Sequence, residues 1–206
     1  QYIDSMIGLL EGLDIVLWSV FFLVPTGRGS TIDLISAEEF EQVFEKLYRT
    51  SQRVKFDIKS TEAQHYRRFL LQRRTEEKRK GNSVPSTPSL GTDTPDGIGR
   101  ARGINDGKGF VFISHLGEVF PSGFLPISAG NIRKQSLADL YCHSPLFVGL
   151  RDSANLKGKC GVCEFREVCG GSRARSYALT GGIFAGEPCC IWQPKMIRGR
   201  ADGDGQ

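Results

Sequence analysis

Lys159-Cys160-Gly-Val-Cys163-Glu-Phe-Arg-Glu-Val-Cys169-Gly-Gly-Ser-Arg173 sets three thiols within ten residues, and the adjacent pair Cys189-Cys190 follows downstream. Three thiolates among glycines, with a fourth returning from a distance, is a way to wrap a soft metal centre. A zinc ribbon needs two Cys-x-x-Cys knuckles facing each other, and Cys160-x-x-Cys163 is the one such step in the chain. The Cys-x5-Cys step into Gly170-Gly171 suits an asymmetric iron–sulfur cage better. Four thiolates also hold zinc, so the spacing alone leaves both open.

The rest of the composition bounds the compartment. Six cysteines in 206 residues are not a secreted disulfide scaffold, since no signal peptide and no membrane span is evident in the sequence. A reducing, cytoplasmic setting with no membrane partner is the expectation. Cys142, in Leu-Tyr-Cys-His-Ser-Pro, reads as a packed small apolar residue. The net charge of +4 owes much to the run Arg73 to Lys80, but Glu76 and Glu77 interrupt it and no aromatic accompanies it. That is a solvated helix end rather than a nucleic-acid surface.

Upstream, the chain alternates helices and strands. Tyr2 to Leu13 reads as the tail of an amphipathic helix, and Asp14 to Val24 is an apolar run of the kind a strand buried on both faces needs. Ser36-Ala-Glu-Glu39 is a capping box opening a helix to about Gln52; Arg53 to Lys59 is a second strand; Thr61 onward is another helix. The pattern is a piece of a layered α/β fold with parallel strands. Two parallel strands cannot stand alone, because parallel sheets need both faces and edges covered. The chain also opens at Gln1 in mid-element. The expectation is therefore the C-terminal part of a longer protein.

Beyond the cysteines lie Gly117-Glu-Val-Phe-Pro-Ser-Gly, Ala129-Gly-Asn-Ile-Arg and Gln135-Ser-Leu-Ala-Asp-Leu-Tyr. In order and spacing these pieces, with the cysteine motif, resemble the SPASM domain at the C-terminus of radical SAM enzymes. The resemblance covers roughly the last hundred residues and implies the fold: the last units of a radical SAM partial (β/α) barrel over 1–71, a flexible basic Pro/Ser/Gly-rich loop over 72–106, a small irregular α+β SPASM iron–sulfur domain over 107–197 and a disordered tail over 198–206. Family members with two auxiliary clusters carry cysteines where this chain has Ser122 and Arg173. Neither a hydroxyl nor a guanidinium replaces a thiolate on iron, so one auxiliary 4Fe–4S cluster is implied. That pattern looks like the heme-biosynthesis-related subgroup.

The family's late cysteine sits in an acidic-Pro-x-Cys-x-aromatic setting, and Glu187-Pro-Cys-Cys-Ile-Trp places Cys190 there. Neighbours in an extended segment point to opposite sides. The implied metal ligands are thus Cys160, Cys163, Cys169 and Cys190, with Cys189 as a packed neighbour. The resemblance further implies a catalytic cluster that cleaves S-adenosylmethionine to a radical, held by a Cys-x-x-x-Cys-x-x-Cys loop that these residues do not contain. The auxiliary cluster would shuttle an electron during modification of a substrate, a tetrapyrrole or alternatively a ribosomal peptide, with a low-potential donor of flavodoxin or ferredoxin type.

In barrels, ligands meet the C-terminal ends of strands. Thr26, Gly27, Arg28 and Gly29 follow the first strand and would approach S-adenosylmethionine, Arg28 pairing with its carboxylate; a Gly-rich turn with a solvated arginine is the plain alternative. Lys59, Glu62, His65 and Arg67 at the second strand end would line a substrate cavity, or equally form a solvated helical turn. Gly109 to Ser114 and Val119-Phe form a hairpin with a structural His115 at its turn, and Ser172 to Leu179 is helical, holding Arg173 and Arg175 near the cluster. A binding module without catalysis, holding iron–sulfur or zinc, is the rival outside the enzyme class.

Overall fold

The computed structural model of the chain describes residues 2–31, 34–81 and 104–197. α1 (Tyr2–Glu11) leads into β1 (Leu17–Phe21), a 3-10 turn at Gly27–Thr31, α2 (Ala37–Ser51), β2 (Asp57–Thr61) and α3 (Tyr66–Arg79). β1 and β2 pair in parallel, from Leu17 opposite Asp57 to Phe21 opposite Thr61. α2 forms the crossover that a parallel pair requires.

α2 begins where its capping box predicts. Ser36 Oγ accepts from the Glu39 amide at 3.1 Å, and the Glu39 carboxylate accepts from the Ser36 amide at 2.7 Å. The apolar stripe Phe40, Phe44 and Leu47 meets Tyr66, Phe69 and Leu70 of α3 over Trp18, Phe22 and Ile58. Phe22 stacks on Phe40 at 4.9 Å and Phe44 meets Tyr66 at 5.1 Å. Each such ring buried contributes about 2–3 kcal/mol.

Three element boundaries differ from the sequence expectation, each for a local reason. The run from Asp14 to Val24 is strand only over Leu17–Phe21, and it is buried on one face: Trp18 is inside while Leu17, Ser19 and Phe21 are exposed. Helices cover only one side of this pair among the described residues. The second strand starts at Asp57 rather than Arg53, because the Arg53 and Val54 amides still bond to Thr50 O at 3.0 and 3.2 Å as α2 unwinds. α3 continues to Arg79, well past the expected loop start at 72. Arg73 pairs with Glu45 at 2.5 Å and with Glu76 at 3.0 Å, and no helix breaker occurs before Gly81, whose φ is 75°. The far end of the expected loop is also ordered, since Asn105 and Asp106 are buried and bonded to Gly171 O and Ala174 N; residues 82–103 and the tail from 198 lie outside the described residues.

The second half is a small antiparallel sheet with helices. β3 (Phe112–Ile113), β4 (Glu118–Phe120) and β5 (Gly130–Asn131) lie in that order. The hairpin turn reverses at Gly117, φ 84°, where an added Cβ would stand 2.8 Å from Asn131 Oδ1. α4 (Leu137–His143), α5 (Pro145–Arg151), α6 (Gly158–Gly161) and α7 (Arg173–Thr180) follow. Val119, Leu140 and Phe147 form its core. Cys142 is not packed as expected but exposed, on the face of α4 turned from Leu140. A third cluster of Val24, Leu125 and Ala174 joins the end of β1 to α7. Among the described residues no helix is long and apolar enough to cross a membrane.

Candidate metal centre

α6 carries Cys160, and the chain then turns through Cys163 and Cys169 into α7. Gly170 and Gly171 both adopt left-handed φ, 68° and 65°. A Cβ on Gly171 would lie 2.6 Å from Arg173 Nη2 and 2.8 Å from Glu187 Cβ. Glycine is required there on both counts, conformation and space, and the turn it permits faces the Gly171 amide toward Cys169 Sγ.

Amide donors face all four sulfurs. Glu187 N donates to Cys160 Sγ at 3.3 Å and Phe165 N to Cys163 Sγ at 3.4 Å. The Gly171 amide faces Cys169 and the Trp192 amide faces Cys190, each favouring the thiolate. Three of the four thus take the amide two residues ahead in sequence. The sulfurs also feel one another: Cys163 and Cys169 each lie within electrostatic reach of Cys160 and Cys190. Burial raises the Cys163, Cys169 and Cys190 thiols above their ordinary range, against the lowering by these amides. Unliganded they are thiols, and a metal would have to displace their protons.

Cys189 and Cys190 turn to opposite sides. Cys189 packs into the cluster formed by β1, β2, α2 and α3, and burial pushes its thiol up to about 11. Cys190 belongs to the other side, where Lys159 Nζ donates to its carbonyl. Four thiols, each facing an amide hydrogen bond, fit a group that needs four thiolate ligands and hydrogen bonds on sulfur. Among the described residues no three His, Cys, Asp or Glu side chains converge closely enough to hold a single ion as they stand.

Sequence reasoning missed the buried polar joint beside this cage. Glu187, fully enclosed, accepts from Ser172 N at 2.7 Å and Cys189 N at 3.1 Å. Arg175, also without exposure, reaches Glu187 at 3.5 Å, Leu23 O at 3.0 Å and Glu62 O at 2.6 Å, over the ring of Phe40. Ser172 caps α7 and donates its hydroxyl proton to Glu62 Oε2 at 2.7 Å. Asp106 Oδ2 accepts from Ala174 N at 2.9 Å, while its Oδ1 has no partner. Burial, then the Asp106 carboxylate, pushes Glu62 up to about 7. The signal for Glu187 was present in the acidic-Pro-x-Cys setting; nothing local marks Arg175 as a long-range strut.

Arg175 therefore points to the strand ends rather than to sulfur, and Arg173 donates to Ile183 O at 3.0 Å and Ala185 O at 2.7 Å. Ser122 is buried in a turn and accepts from Phe124 N at 3.3 Å. Of the four residues expected to line a cavity, only Lys59 is exposed. Glu62 and His65 are buried, His65 between Phe40 and Phe44, where desolvation holds its pKa well below the usual range. Arg67 ties α3 to Ile104 O at 2.6 Å and Val168 O at 3.2 Å. Glu62 and His65 are enclosed and Arg67 is partly covered because the second half of the chain sits directly on the strand ends. Thr26 and Gly29 are partly buried, Gly27 and Arg28 exposed, with Gly27 at φ 55°.

No family model matches the chain. It is 40% identical over 194 residues to the AdoMet-dependent heme synthase of Methanosarcina barkeri, covering 94% of this chain and 53% of that protein. To the AdoMet-dependent heme synthase of Oleidesulfovibrio alaskensis it is 38% identical over 197 residues, 94% of this chain and 48% of that protein. A shorter match, 33% over 87 residues, is to the PqqA peptide cyclase of Methylobacterium nodulans, covering 42% of this chain and 22% of that protein. The chain spans about half the length of the heme synthases it matches. Across nearly its whole length it is a homologue of the AdoMet-dependent heme synthases, and it resembles the heme-biosynthesis-related subgroup of radical SAM proteins with a SPASM domain.

Proposed function

We propose that this chain holds one auxiliary 4Fe–4S cluster on Cys160, Cys163, Cys169 and Cys190, as the C-terminal part of a radical SAM enzyme that modifies a tetrapyrrole in heme-type biosynthesis. The observation that carries the assignment is the set of four thiols each facing its own amide, with Cys189 turned away into the core. The bound cluster supplies one-electron transfer. The chain's residues do the rest: the amides of Phe165, Gly171, Glu187 and Trp192 stabilise negative charge on sulfur, and Glu187 fixes the Ser172 and Cys189 backbones that aim Cys169 and Cys190. Arg175 fastens this assembly onto the ends of β1 and β2, where barrel chemistry takes place. S-adenosylmethionine would meet Thr26 to Gly29 at the end of β1, in a whole protein that also carries the ligand triad for the catalytic cluster.

Anaerobic reconstitution of the purified chain tests the reading. Four irons and four sulfides per chain are expected on the four-thiolate assignment. Stoichiometric zinc without iron, or twice that iron and sulfide, would refute it. The peptide-modifying alternative rests on the match to a peptide cyclase over less than half of the chain; the heme synthase matches cover more than nine-tenths and weigh for the tetrapyrrole.

A further inference from the structure

The sheet formed by β1 and β2 has two faces, and only one is covered. Trp18 and Ile58 lie under α2 and α3. The other face carries Leu17, Ser19 and Phe21 from β1 with Asp57, Lys59 and Thr61 from β2, in register. Opposite the helix layer, this is the face that a closed β/α barrel turns inward. Ser19 Oγ and Thr61 Oγ1 share a hydrogen bond of 3.0 Å across it, and Lys59 stands exposed opposite Ser19.

At the C-terminal end of this face the second half of the chain adds aromatic rings. Phe21 remains 53% exposed although its ring lies 5.1 Å from that of Phe124, tilted by 59°. Phe112, 42% exposed, packs beside Gly123, where a Cβ would stand 3.7 Å from the ring, and it backs onto Phe120 at 6.3 Å. Phe21 and Phe124, from two parts of the chain, thus border a strip holding a cation and a hydroxyl pair. Phe21 and Lys59 are diagonal neighbours on adjacent strands, about 8 Å apart at the usual rise and strand spacing.

We propose that this strip is the wall against which the substrate docks: a planar tetrapyrrole lies on Phe21 and Phe124, and Lys59 pairs with a carboxylate on its rim. The inference rests on the tetrapyrrole reading above and adds the residues that recognise it. Exposed ring faces match a broad apolar plane; a single ammonium at the edge matches an acidic side arm. A peptide would add to a strand edge through its backbone, whereas this face offers side chains alone.

The test uses the chain as it is, with protoporphyrin IX and its dimethyl ester as probes, followed by the shift of the Soret band. The wild type is expected to bind the acid more tightly than the ester. Phe21→Ala and Phe124→Leu should weaken both probes, each by about three- to tenfold, the scale of one aromatic contact. Lys59→Ala should weaken the acid by a similar factor, leave the ester unchanged and so erase the difference between them. Phe21 and Lys59 are exposed, so those two variants keep the fold, checked by circular dichroism; Lys134→Ala, exposed in the turn after β5, is the control and should change nothing. Unchanged binding in all three wall variants, or equal affinity of the wild type for acid and ester, overturns the wall and leaves the cluster assignment standing. A wild type that takes up its cluster but binds neither porphyrin overturns the wall together with the tetrapyrrole reading.

Discussion

Replacing Glu62 by Gln should stabilise the chain, and by an amount that grows with pH. Glu62 follows the last residue of β2 in a left-handed conformation, φ 59°, and is enclosed with Asp106, Glu187, Ser172 and Arg175. Burial and then the Asp106 carboxylate raise its pKa from 4.5 to about 7, against the Ser172 hydroxyl and the Arg175 cation. Between those values the folded chain keeps a proton that the unfolded chain releases. Stability is therefore lost as pH rises through this window, and above it the penalty levels off at about 3 kcal/mol. Glutamine has no proton to lose and keeps an acceptor for Ser172. Urea midpoints measured under anaerobic, reducing conditions from pH 5.5 to 8.5 should show the variant ahead by about 1 kcal/mol at the acid end and about 3 kcal/mol at the alkaline end. Parallel profiles, or a gap that narrows toward alkaline pH, would refute the buried, protonated carboxyl.

Cys190→Ala should leave a reconstituted cluster oxygen-labile or reduced to three irons, read by electron paramagnetic resonance, while Cys189→Ala should keep the cluster and cost about 1 kcal/mol for the lost sulfur; equal cluster loss in both would shift the ligand by one residue. Arg175→Met should destabilise by about 3–5 kcal/mol in urea, since it leaves Glu187 enclosed without its cation, and a loss below 1 kcal/mol would argue against that joint. With dithionite as reductant the chain alone should form no 5′-deoxyadenosine from S-adenosylmethionine above a blank, because its sequence holds no Cys-x-x-x-Cys-x-x-Cys. Phe44→Ala should cost about 3–5 kcal/mol, as a fully enclosed ring at the meeting of α2, α3 and the sheet.

The features that read directly from sequence were those whose cause is local. Ser36 and Glu39 are three residues apart and cap α2 wherever the helix goes; Gly117 turns the hairpin on its own dihedral; Cys160, Cys163 and Cys169 are held by one short segment. Cys189 and Cys190 face opposite sides, but not by alternation along an extended segment: Pro188 and Cys189 form a turn in which Cys190 N donates to Glu187 O at 3.4 Å. What escaped were partnerships over distance. Arg175 looked like a charge for the cluster, yet its partners are Leu23, Glu62 and Glu187, more than a hundred residues away in two cases. His65 and Glu62 looked like a solvated first turn because nothing nearby in sequence announces that α7 lies on top of them. The extent of α3 was legible in part: Arg73 to Lys80 read as a solvated helix end, yet the loop was placed from 72, since nothing local shows that Glu45 on a different helix and Glu76 on its own neutralise Arg73.

The back-to-back arrangement of Cys189 and Cys190 sets how this chain can vary in length. One thiol is lodged among the rings under the sheet and its neighbour lies within electrostatic reach of Cys160, with a single peptide unit between them. Adding or removing one residue in the stretch from Gly181 to Pro188 would exchange the two, sending the wrong sulfur to each side and pulling Glu187 away from Ser172. Such a change cannot be absorbed by repacking, because both ends of the dipeptide are anchored. That stretch is therefore a ruler, and length drift is expected elsewhere, in connections that do not have to satisfy two cores at once.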